Sequence, residues 1–260
     1  MARRWTKEEE EMYRAELVRL YVDENKSIRE VGLLLGIKEN TVFDRLKRLH
    51  IPTSPERKKG YLNQRKDLIL PERSVKLAEF FGIMLGDGHT GVTQTFVTLG
   101  TKEENYVHYV QALMSELFGI QAKIVTKQSG YHDVYIGSVE ICRWLKSEGL
   151  VSNKVASQVD VPEWIFETPA YMRAFIRGFF DTDGSIYRLR HGVQISITNH
   201  SLPLLVALQK MLRRLGYAVS EISAGRIYIT RRPEILRFFT EIKPQNSKHQ
   251  IRFEEFMRRW

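Results

Sequence analysis

Two Asp-Gly steps, Asp87-Gly88 and Asp183-Gly184, are the places where this sequence comes nearest to chemistry. Each closes a segment patterned as a helix. Phe80-Phe81-Gly82-Ile83-Met84-Leu85-Gly86-Asp87-Gly88 aligns with Ile176-Arg177-Gly178-Phe179-Phe180-Asp181-Thr182-Asp183-Gly184. In both, a glycine (Gly82, Gly178) is followed four positions later by a small residue (Gly86, Thr182). Residues one helical turn apart share a face, and small ones there let two helices pack with their backbones nearly touching. Helices lying side by side would deliver Asp87 and Asp183 together at their C-terminal ends, where the macrodipole favours cations. Two carboxylates brought close repel unless a cation sits beside them. Mg²⁺ suits such a place, because it binds through one or two carboxylates, water and substrate phosphate. The chemistry available there is metal-assisted phosphodiester hydrolysis, with water activated and the leaving oxygen stabilised. Asp-Gly is also a common turn, so either step alone is ambiguous. Asp181-Thr182-Asp183-Gly184 resembles part of an EF-hand loop as well. With Gly184 as that loop's glycine, however, Phe179 falls on the first ligand position and Arg190 on the closing glutamate, which excludes calcium.

The elements that must position these acids repeat. A helix predicted from Ser74 to Gly86 and another from Pro169 to Thr182 end in the two aspartates. Strand-like stretches follow at Val92 to Leu99 and Val193 to Thr198, then amphipathic helices ending near Glu116-Leu117-Phe118-Gly119 and Arg214-Leu215-Gly216. Two further short strands come next in each half: Ala122 to Lys127 with Val134 to Gly137, and Ala218 to Ile222 with Arg226 to Thr230. Closing helices lie near Val139 to Glu148 and Pro233 to Ile242, and loops then carry Lys154 and Lys248. The succession recurs at a spacing of about 95 residues, too long for a solenoid repeat and right for two half-domains, each read as αββαββα with three of its four strands marked by the pattern.

The chain has 260 residues, a formal charge of +9 and a pI near 9.6, a balance suited to nucleic acid. Its single cysteine, Cys142, excludes an internal disulfide framework and predicts a reducing, intracellular setting. No apolar run approaches the roughly 20 residues that cross a membrane, and Met1-Ala2-Arg3-Arg4-Trp5 does not read as a signal peptide. The first 52 residues read as a small all-helical module. Thr6 with Glu9 and Ser27 with Glu30 form capping boxes, Gly36 stops the second helix, and Asn40 is placed to cap a third. That third helix carries Thr41, Arg45, Lys47 and Arg48, and the arrangement resembles a helix-turn-helix. A plain three-helix bundle would show the same periodicity. Residues 53–73, with two prolines, Arg57, Lys58 and Lys59, read as a basic linker suited to lie along phosphates.

The paired segments resemble the two copies of the LAGLIDADG motif in its single-chain, double-motif form, over roughly Ser74 to Lys248. The resemblance implies an α+β fold: a duplicated αββαββα core with pseudo-two-fold symmetry, divided into residues 74–162 and 163–260. It also implies a homing endonuclease that cuts double-stranded DNA at a long asymmetric site, leaves short 3′ overhangs and acts as a monomer. Asp87 and Asp183 then hold Mg²⁺, with Gly86 and Thr182 beside them, on the order of two or three ions per DNA complex. Lys154 and Lys248 point toward the scissile phosphates, where a lysine can stabilise developing charge. One departure stands out: the earlier acidic position of the motif is Leu85 in the first copy and Asp181 in the second. Intron or intein origin fits such a core, but the ends (Met1-Ala2 and Arg258-Arg259-Trp260) lack splicing residues, so a free-standing enzyme is expected.

The strands supply the expected DNA-facing surface. Gln194, Ser196 and Thr198 alternate with Val193, Ile195 and Ile197, and Arg226, Tyr228 and Thr230 with Ile227 and Ile229. Gln and Arg suit bidentate contacts to base edges, and an antiparallel ribbon fits the major groove. Arg188, Arg190, Lys123 and Lys127 are further DNA contacts on this reading, and Asn199 and Lys102 are placed near the active site. A solvated sheet face would alternate in the same way. Two other functions share the fold: a transcription regulator that binds DNA without cutting, and an RNA maturase.

Overall fold

The computed structural model describes residues 5–51, 53, 68–151, 156–190 and 192–258. Arg57, Lys58, Lys59 and Lys154 lie outside the described residues. Two compact units result, over residues 1–64 and 65–260.

In the first unit, α1 (Lys7–Leu17) runs into a π-helical stretch (Val18–Asp23) and is followed by α2 (Ile28–Leu35) and α3 (Glu39–Arg48). Both capping boxes form: the Thr6 and Ser27 hydroxyls accept the Glu9 and Glu30 N–H, and each glutamate accepts the cap N–H in return. Gly36 ends α2 in the left-handed conformation, φ 65°. The third helix begins earlier than Asn40 predicts. Lys38 is its N-cap and Asn40 sits within the first turn, because the tight turn at Gly36 and Ile37 lets the backbone become helical by Glu39. Leu17, Leu20, Tyr21, Val31, Val42, Leu46, Leu49 and Ile51 form this unit's core. Thr41, Lys47 and Arg48 are exposed on α3, whereas Arg45 is half-buried. The Arg45 guanidinium lies 4.3 Å from the Tyr13 ring and that of Arg48 lies 4.1 Å from the Trp5 ring, so both stack on aromatic groups at the start of the chain.

The second unit is α+β and duplicated. Its first half contains α4 (Val75–Gly86), β1 (Gly88–Thr90), β2 (Gln94–Leu99), α5 (Glu104–Phe118), β3 (Lys123–Thr126), β4 (His132–Gly137) and α6 (Val139–Ser147). The second half contains α7 (Pro169–Asp183), β5 (Gly184–Leu189), β6 (Gly192–Thr198), α8 (Leu202–Arg214), β7 (Arg226–Ile229), α9 (Arg232–Glu241) and α10 (Ser247–Met257). Among the described residues the strands form two antiparallel sheets, ordered β1-β2-β4-β3 and β5-β6-β7. β1 and β5 start at the glycine right after each aspartate; β1 has three residues and β5 (Gly184-Ser185-Ile186-Tyr187-Arg188-Leu189) does not alternate cleanly between apolar and polar, so the sequence pattern located only the strand that follows each. The expected strand over Ala218 to Ile222 is not formed as one. Ser220 N–H reaches the Tyr228 carbonyl at 3.0 Å, but Tyr228 N–H turns to the Ser220 hydroxyl instead of its carbonyl, which ends the ladder.

One core runs through both halves. α4 is buried from Leu77 to Leu85 and apolar there except for Glu79, as a helix enclosed on every side tends to be. Phe80, Phe81, Phe175, Phe179 and Phe180 are fully buried and fill the space around α4 and α7.

Candidate active site at the joined helix ends

Ser74 and Thr168 start the two central helices, each hydroxyl accepting a backbone N–H three residues on (3.2 Å from Leu77, 3.1 Å from Tyr171). The helices then run parallel and almost in backbone contact. A Cβ added at Gly82 would stand 2.2 Å from the Phe175 carbonyl oxygen, and one at Gly178 would stand 2.1 Å from the Glu79 carbonyl oxygen. At Gly86 it would meet the Thr182 hydroxyl at 2.0 Å and lie 3.6 Å from the Asp183 carboxyl carbon. The two small-residue pairs are therefore the seam, and Asp183 stands beside the last turn of α4. Asp87, the C-cap of α4, is exposed, while Asp183, the last residue of α7, is half-buried. The Asn199 amide donates to Asp183 Oδ2 at 2.8 Å, so Asn199 stands beside that aspartate.

The seam is also clamped by charge. Glu79 on α4, 3% exposed, lies 3.2 Å from Arg177 Nε on α7 and accepts the Tyr109 hydroxyl at 2.5 Å. Burial raises its pKa, and Arg177 and Tyr109 offset only part of that.

Residues 74–149 and 170–243, more than half of the chain, match the family described as LAGLIDADG-like domain. The chain belongs to that family. Part of it is 31% identical over 146 residues to the replication factor C small subunit of Methanocaldococcus jannaschii, covering 55% of this chain and 7% of that protein. Part is 27% identical over 141 residues to the DNA-directed RNA polymerase subunit Rpo1C of the same organism, covering 53% of this chain and 15% of that protein. The chain thus spans a small fraction of the length of these relatives. A solved structure of a mesophilic variant of the homing endonuclease I-DmoI aligns with a TM-score of 0.45 at 15% identity, over 65% of this chain and 94% of that one.

Within this LAGLIDADG core the remaining candidate residues separate into groups. Among the described residues no cluster of three or more His, Cys, Asp or Glu could hold a metal. The aspartate pair alone fits Mg²⁺, because that ion completes its shell with water and phosphate oxygens. Asp181 does something else. It is fully buried and accepts the Gln245 and Asn246 N–H at 2.8 and 3.1 Å, anchoring the segment that leads into α10. Burial pushes its carboxyl up to about 7, against those two donors. Lys248 lies in the first turn of α10, not in a loop, and its ammonium rests 2.6 Å from Glu103 Oε1. Burial disfavours a charged Glu103, yet Lys248, Asn246 and the Gly100 N–H together outweigh that and lower its pKa.

The sheets present the other candidates. Tyr187 pairs with Gln194 across β5 and β6, and Thr198 with Arg226 across β6 and β7, on the face away from the core. The Gln194 amide oxygen accepts the Tyr187 hydroxyl at 3.1 Å. Ser196 shares that face but is only 4% exposed, because it is a small residue on the central strand with Ser185 and Tyr228 on either side. Arg188 pairs with buried Val193, so its parity is that of the core face, although its place at the strand end leaves it exposed. Arg190, Arg226 and Thr230 are exposed, with Thr230 one residue past β7. In the first half the register sets His89, Phe96, Tyr135 and Lys123 in one outward row, giving Thr93 to Thr98 the parity its sequence lacks. Lys127, beyond β3, pairs with Asp133 at 2.8 Å. Glu103, Glu79 and Asn246 were not found from the sequence. Glu103 precedes α5 directly after Lys102, and nothing local marks it apart from its neighbours.

Proposed function

We propose that this LAGLIDADG chain binds double-stranded DNA and cuts both strands at a long asymmetric site, using divalent metal at Asp87 and Asp183. The observation that carries the reading is the seam: glycines at backbone contact distance bring two C-terminal helix ends together, each with a carboxylate, in a protein of charge +9. A bound Mg²⁺ supplies Lewis-acid polarisation of the phosphate and of a water. The chain's own residues do the rest. Asp87 and Asp183 would hold the ion, Asn199 fixes the Asp183 carboxylate, and Lys248 would offer a cation to the phosphate oxygens. Gln194, Thr198, Arg226 and Tyr228 would read base edges from one half, and Lys123 and Tyr135 from the other. Residues 1–52 would act as a helix-turn-helix that extends the footprint through α3, with 53–73 as a linker along phosphates. A related segment within a replication factor and within an RNA polymerase subunit, filling 7% and 15% of them, supports a module that moves between genes as a unit.

The test is a selection from a random-sequence duplex library with Mg²⁺ and with EDTA, beside Asp183→Asn. One long site cut only with metal and only by the unmodified chain is the expected result. Sites bound but never cut would transfer the reading to a regulator.

A further inference from the structure

In each half, the residue that precedes the second helix reaches into the other half. Ser201, before α8, donates its hydroxyl to the Val159 carbonyl at 2.7 Å, and the neighbouring Leu202 N–H reaches the Gln158 side chain at 3.2 Å. Those partners follow Lys154 in the first half. Glu103, before α5, makes the reciprocal grip on the second half. Its Oε1 lies 2.6 Å from both Lys248 Nζ and Asn246 Nδ2, and its Oε2 accepts the Gly100 N–H at 2.6 Å.

The two grips match in place and differ in chemistry. Glu103 is a carboxylate whose side chain is 13% exposed, whereas Ser201 is neutral. Asp181 adds a second hold on the Lys248 segment through the Gln245 and Asn246 N–H, and its counterpart in the first half is Leu85. Asn199 steadies Asp183, and in the register of the strands that follow each aspartate the counterpart of Asn199 is Leu99, whose apolar side chain can make no such bond.

We infer that Glu103 is a positioning residue for Lys248, holding its ammonium in place for the one strand-cutting centre that Lys248 serves. The inference rests on the endonuclease reading. A lysine has a flexible four-carbon stem, so a phosphate that must first order it gains less than one that meets it already placed. An ammonium carries three donors, so one bond to Glu103 orients it without exhausting it.

Strand-resolved cleavage tests this. A supercoiled plasmid carrying the site recovered from the library, with its two strands labelled differently, is cut in Mg²⁺ by the unmodified chain, Glu103→Gln, Lys248→Ala and the double variant. Glu103→Gln should slow one strand roughly ten-fold and the other by no more than about two-fold. It should change neither rate further in the Lys248→Ala background, since residues acting as a unit are not additive. Binding of the same duplex in EDTA should be unchanged. Equal slowing of both strands, no slowing, or additive losses would overturn the inference and leave the endonuclease standing. An unmodified chain that cuts neither strand would remove the endonuclease reading and this inference with it. Should Glu103→Gln fail to fold, Glu103→Asp, which withdraws the charge by one methylene, is judged by the same strand ratio.

Discussion

Asp87 and Asp183 differ in their surroundings although they occupy the same motif position: one is an exposed helix cap, the other a half-buried last helical residue held by Asn199. Asp87→Asn or Asp183→Asn should each abolish double-strand cleavage while DNA binding persists within a few-fold, as gel shift and cleavage on one duplex would show. Full cutting by either variant would remove its metal role. His249 offers a different residue-scale test. It is fully buried against Phe180, and burial, with Lys248 and Arg252 adding to it, holds its pKa down at about 3, with Asp181 and Glu103 pulling the other way. The unfolded chain therefore takes up this proton first as pH falls. Its contribution to stability is present above about pH 6.5 and declines toward pH 3, by up to about 1.4 kcal/mol per pH unit. Urea midpoints of the unmodified chain minus those of His249→Phe should rise from pH 4 to 6.5 and level off above. A difference independent of pH would mean that His249 has the same pKa folded and unfolded, so that burial does not hold its proton off.

At the scale of elements, the α4–α7 seam has no room for a methyl group. Gly82→Ala or Gly178→Ala would place a Cβ against backbone of the facing helix, which cannot rotate away, and should cost about 3 kcal/mol. Thermal unfolding reads this directly, and a variant melting with the unmodified chain would show that the helices can part. The Asp181 anchor makes a separate prediction. Asp181→Ala orphans the buried Gln245 and Asn246 N–H, each at about 1–3 kcal/mol. Amide exchange should rise first across 243–248, and uniform exchange over the whole unit would contradict an anchoring role. The two capping boxes and Gly36 were legible in the sequence because each acts through its own backbone and nearest turn, and Gly82 and Gly178 because their spacing to the next small residue repeats in both halves. The missing strand at Ala218 to Ile222 was not, since a hydroxyl of Ser220 competes for the ladder only once Tyr228 is opposite it.

For the whole molecule, a charge of +9 directed at phosphates predicts steep salt dependence. With six to ten phosphate contacts, DNA affinity should fall by about 10³ or more between 50 and 200 mM salt. Fluorescence anisotropy on the selected duplex measures it, and an affinity indifferent to salt would argue against a phosphate-tracking surface.

The sequence alone determined the duplication, the pairing of two small-residue helix faces and the acids at their ends, because these are periodic or local features repeated at matching positions. Only the tertiary structure decided what meets across the pseudo-two-fold axis. Glu103 reaches Lys248 from 145 residues away, Glu79 finds Arg177, Asp181 holds Asn246, and Ser196 disappears beneath its neighbours. A single charged or polar side chain carries no periodicity, so its role is set by whichever surface the fold brings to it.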